Sequence, residues 1–147
     1  MANQQQLDLL KQGVATTWNM WREEHPDTPI NLNGVDLSEA NLGEVNLAGA
    51  DLSRANLSRA DLNTANLSKA RLAQADLSGA NLAAADLSDA DVREANLSHA
   101  DLNGADLRGA NLLGADMRGA LLEEASIEGA LITSEQLSQA KVGPDSL

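Results

Sequence analysis

From Ile30 onward, apolar and polar positions recur every five residues without a break as far as Ile132. The stretch holds 21 units, with central residues running from Leu32 to Ile132. Seventeen centres are Leu, and the other four are Val92, Met117, Ile127 and Ile132. Two residues before the centre stands Ala in 18 units, replaced by Ile30, Val35 and Val45. The residue just before the centre is Asp or Asn in 17 units. A period of five suits neither common element. Five helical residues turn through about 500°, so successive leucines would scatter around the axis. A flat strand would send them to alternate faces. A coil with a corner in every unit buries them all. The Ala and the central Leu then share one inward face, and the remaining residues turn the corner, where Gly, Ser and Asn are suited to it. Four units close a square coil, and stacked coils align Leu over Leu at about 4.8 Å. The pattern therefore predicts an all-β solenoid of about five coils over residues 30–132, filled by aliphatic side chains. Eight of the last positions in the units are Gly, which accepts the positive φ of a tight corner. Pro26, Pro29 and Pro144 all lie outside the coils, where they remove no ladder hydrogen bond.

The flanks carry a different pattern. Leu7, Leu10, Val14, Trp18 and Trp21 recur at spacings of three and four, which predicts one amphipathic helix over residues 5–24, ended by Pro26 and Pro29. Residues 1–29 thus read as a helical cap and linker. Trp18 and Trp21 are expected to pack on the first coil, with a binding hot spot as the alternative. Residues 133–147 read as a C-terminal capping helix and tail. Thr133 to Gln136 has the form of a capping box, and Leu137, Ala140 and Val142 are placed to pack on the last coil. The repeat decays towards this end: Leu121, Ser126 and Leu131 take the Asp/Asn slot, and Leu113 takes a slot usually held by Ser. Leu113, Leu121 and Leu131 would face outward and need cover, from the C-terminal helix or from a homodimer contact at that end.

Composition narrows the chemistry. The chain of 147 residues has no Cys, Tyr or Phe, and a formal net charge of −12. Thiolate chemistry and disulfides are excluded. The negative charge argues against direct binding to nucleic acid or an anionic membrane and suits a basic surface on a partner protein. The N-terminal residues lack the basic and apolar regions of a secretory signal, and no apolar run approaches a bilayer span, so a cytoplasmic location is expected. His25 and His99 show no metal-ligand spacing, and Ser98 precedes His99 only because the repeat puts Ser there. The sequons at Asn56, Asn66 and Asn96 are likewise products of the repeat. No catalytic, metal or cofactor site is expected.

The run of A(D/N)LXX units, for example ADLSRANLSRADLNTANL, resembles the pentapeptide-repeat family over residues 30–132. That resemblance implies a right-handed quadrilateral β-helix. The segment LLKQGVATTWNMWREEHPDTP is similar to leaders on pentapeptide-repeat proteins of cyanobacteria.

Taking every fourth unit assigns side chains to walls. The Leu42 series (Leu42, Leu62, Leu82, Leu102, Leu122) carries Glu44, Asp61, Asp101, Glu123 and Glu124 with no Lys or Arg, a net charge of −5. The Leu32 series is neutral, and the Leu37 and Leu47 series carry −2 each. The acidic wall is a candidate protein-interaction surface, although Asp and Asn in that slot also suit turn-making. The favoured function is a non-catalytic structural or protein-interaction module. The alternative is a DNA mimic acting on DNA gyrase or another DNA-binding protein, as the resemblance implies for some family members.

Overall fold

The computed structural model describes residues 2–141. Single-residue parallel bridges join positions 20 apart, in four columns. The first column runs through Asn31, Asp51, Arg71, Asp91, Asn111 and Leu131, and the second through Asp36, Asn56, Asp76, Asn96 and Asp116. The third holds Asn41, Asp61, Asn81, Asp101, Leu121 and Lys141, and the fourth Asn46, Asn66, Asp86, Asp106 and Ser126. These columns define the four walls of the repeat β-helix. One rung shows the pattern: the Leu52 N–H donates to the Arg71 carbonyl at 2.7 Å, and the Asp51 N–H to the Ile30 carbonyl at 2.9 Å. Every central residue from Leu32 to Leu122 is at most 2% exposed, so the axis is a continuous aliphatic column.

All of the first 20 corners are left-handed. Their last residue has positive φ at eight glycines, from Gly34 to Gly129, and also at 12 residues that carry a side chain, among them Thr64, Ala84 and Glu124. The glycines therefore mark only part of a backbone requirement that the whole repeat obeys.

The predicted single N-terminal helix is two. Helix α1 spans Gln4–Leu10 and α2 spans Ala15–Glu24. Gly13, at φ +73, breaks the run between them. Val14 is the N-cap of α2 and is 49% exposed, so it belongs to no buried stripe. The spacing of three and four continues across Gly13, but the backbone does not.

These helices meet the first coil through hydrogen bonds as well as apolar contact. An end coil leaves N–H and C=O groups without a neighbouring coil. The Asn31 N–H donates to Gln6 Oε1 at 2.9 Å, and the Asn3 N–H donates to the Asn31 carbonyl at 2.8 Å. Gln6 Nε2 donates to the Pro29 carbonyl at 2.8 Å, which accounts for a buried glutamine in a hydrophobic setting. From α2, Trp18 Nε1 and Arg22 Nη1 donate to the Asn46 carbonyl, Arg22 Nη2 to the Ala48 carbonyl and Asn19 Nδ2 to the Glu44 carbonyl. The Asn46 N–H donates back to Asn19 Oδ1 at 2.8 Å. Partial burial pulls the Arg22 guanidinium below its ordinary pKa.

At the other end, α3 spans Ser134–Gln139 and opens with a complete capping box between Thr133 and Gln136. It occupies the second-wall position of its coil. Gln136 is buried and donates to the Leu112 and Ala115 carbonyls. Leu137 and Ala140 pack against the core. The coil then resumes, because Lys141 bridges Leu121 on the third wall. Pairing thus extends beyond the boundary at 132 drawn from the repeat. Val142 and Pro144 lie outside the described residues.

Candidate interaction walls

The wall surfaces are built by one local device. In all 17 units with Asp or Asn before the centre, the side-chain Oδ1 accepts the backbone N–H two residues on, at 2.9–3.5 Å. The bond closes an Asx turn and fixes the side chain against the wall. Where Ser follows the centre, its hydroxyl often donates to the same oxygen, as Ser58 does to Asn56 at 2.7 Å. Each wall therefore presents polar side chains held in register by the backbone.

Arginine adds a second layer. Arg93, Arg108 and Arg118 fold back on Asp91, Asp106 and Asp116, each with Nε donating to Oδ1 and Nη2 to Oδ2 at 2.6–3.0 Å. The side-chain hydrogen bonds from these arginines hold all three carboxyls below the usual carboxylate range. Arg71 reaches down one coil to Asp51 at 2.9 Å, and Arg59 approaches Glu39 at 3.6 Å. These five ion pairs fall on the first, second and fourth walls or their corners.

The acidic set falls on the third wall as the spacing predicts. Asp61 and Asp101 stand in its bridge column, two coils apart, and Glu123 lies on the same face. Glu44 and Glu124 stand at its left-handed corner. Asp61 and Asp101 also accept the Asn63 and Asn103 N–H groups at 3.0 Å, so they make turns like every other residue of that slot. Glu123 donates its N–H to Asn103 Oδ1 at 2.8 Å. A shallow cleft of about 280 Å³ at this end is lined by Asn103, Gly104, Glu123 and Glu124. Counting by fours missed one member. Lys141 joins the third column at its far end, because α3 replaces one side of a coil without disturbing the count.

The three leucines do not form one patch. Leu113 and Leu131 lie on the first wall and are 43% and 51% exposed, whereas Leu121 lies across the molecule on the third. Helix α3 sits over the second wall position and covers neither exposed leucine. Trp18 is buried against the first coil. Trp21 is half-buried, 5.4 Å from the Trp18 ring and stacked on His25 at 4.7 Å. Among the described residues no group of His, Asp and Glu could hold a metal ion, and no helix is long and apolar enough to cross a membrane.

A bridge ladder of period 20 around an aliphatic axis defines the class, a repeat β-helix of pentapeptide units. The family model for pentapeptide repeats matches in eight copies over residues 30–68, 65–104, 85–123 and 100–133, and the chain belongs to that family. Among solved structures, it is similar to a pentapeptide repeat protein from the thylakoid lumen of Arabidopsis thaliana. The two are 36% identical over 69% of this chain and 64% of that one, with a TM-score of 0.56. It thus spans less than two thirds of that relative's length. A pentapeptide repeat protein of the cyanobacterium Cyanothece 51142 is 28% identical over 89% of this chain and 97% of its own, with a TM-score of 0.52. No curated protein matches the chain.

Proposed function

We propose that the chain is a non-catalytic interaction module that presents the walls of a right-handed, four-sided coil of about five turns to a protein partner. In this reading α1 and α2 seal one end, α3 covers part of the other, and the module acts in the cytoplasm. The observation that carries it is the Asx ladder. Seventeen side chains are fixed by the backbone before any partner arrives, so little side-chain entropy is lost on docking. The third wall is the favoured face. Arginines of the chain itself fold over carboxylates on the first, second and fourth walls. Asp61 and Asp101 have Asn63 and Asn103 where Asp91, Asp106 and Asp116 have arginine two residues on. A basic surface fits that wall by charge complementarity.

The test is a variant with Glu44→Gln, Asp61→Asn, Asp101→Asn, Glu123→Gln and Glu124→Gln. Asn fills the same slot at Asn41 and Asn81, so the turns and the fold are retained. Partners captured on immobilised wild-type protein should be lost from this variant. Equal capture by both would move the docking face to another wall. Fractionation of the source cell tests the cytoplasmic assignment, since the Arabidopsis relative is a protein of the thylakoid lumen.

A further inference from the structure

We draw no further inference here: the strongest candidate, the apolar edge at the C-terminal end of the coil where Ile127 and Ile132 are only partly buried and Leu131 is 51% exposed, carries nothing because no feature of the structure shows what covers it.

Discussion

At the scale of the residue, the corner decides which side chains are comfortable. Left-handed backbone costs a residue with a Cβ about 1–2 kcal/mol, and glycine is spared it. Thr64 is β-branched and sits at φ 58, where its hydroxyl donates to the Asn63 carbonyl at 2.6 Å. Thr64→Gly should raise stability by about 0.5–1 kcal/mol, the relief of strain exceeding the added freedom of the unfolded chain. The converse change is Gly49→Ala. A Cβ there meets no atom within 4 Å, so the expected loss of about 1 kcal/mol reads the backbone alone. Urea denaturation of the two variants checks both signs. The sequence makes this requirement visible only where glycine occupies the corner. At the other 12 corners a residue such as Arg54 or Glu94 looks like ordinary surface, because packing along the ladder overrides local backbone preference. The Asx slot was more legible. Asp and Asn interchange there because the turn uses Oδ1, which both possess, and the charge is left over for other purposes.

At the scale of the element, the ends and the Asp–Arg clamps separate what periodicity can report from what it cannot. The spacing of apolar residues located helical material before the coil but ran through Gly13, since a pattern of side chains carries no record of backbone handedness. Gln6, Asn19 and Arg22 fall outside that apolar spacing. Their partners are backbone groups of the first coil, which no side-chain pattern displays. Trp18 joins both roles, being 1% exposed while donating to the Asn46 carbonyl. Trp18→Ala should cost about 3–5 kcal/mol and fray the first coil. Hydrogen exchange at residues 31–49 should then accelerate more than at residues 71–89. The clamps predict a pH dependence. Asp91, Asp106 and Asp116 have lowered pKa values when folded, so their contribution is complete above the unfolded value of about 4. It is lost as pH falls through the lower folded values. The denaturation midpoint should drop more steeply between about pH 4 and pH 2 in the wild type than in an Arg93→Gln, Arg108→Gln, Arg118→Gln variant. Parallel curves would show that the clamps are screened out by solvent.

At the scale of the whole molecule, the fold follows from one number, the period of 20 formed by four units, and both core and walls depend on it. The inward Leu column and the membership of the third wall were legible because a repeat this regular leaves one register that buries every centre. The re-entry of the chain at Lys141 was not, because a helix that replaces one side of a coil looks in sequence like the end of the repeat. The separation of Leu121 from Leu113 and Leu131 is a consequence of the same register, in which neighbours along the chain belong to different walls. The chain has no cysteine, so the register can be measured by introducing pairs. Ser58→Cys with Ser78→Cys places two thiols on the second wall one coil apart. That spacing of about 4.8 Å lies within the Cα separation a disulfide needs. Ser58→Cys with Ala73→Cys places them on different walls, as a three-sided coil would not. Mild oxidation should close an intramolecular disulfide in the first pair and leave the second pair reduced. Closure of the second pair in place of the first would contradict the four-sided register, and with it the assignment of every wall.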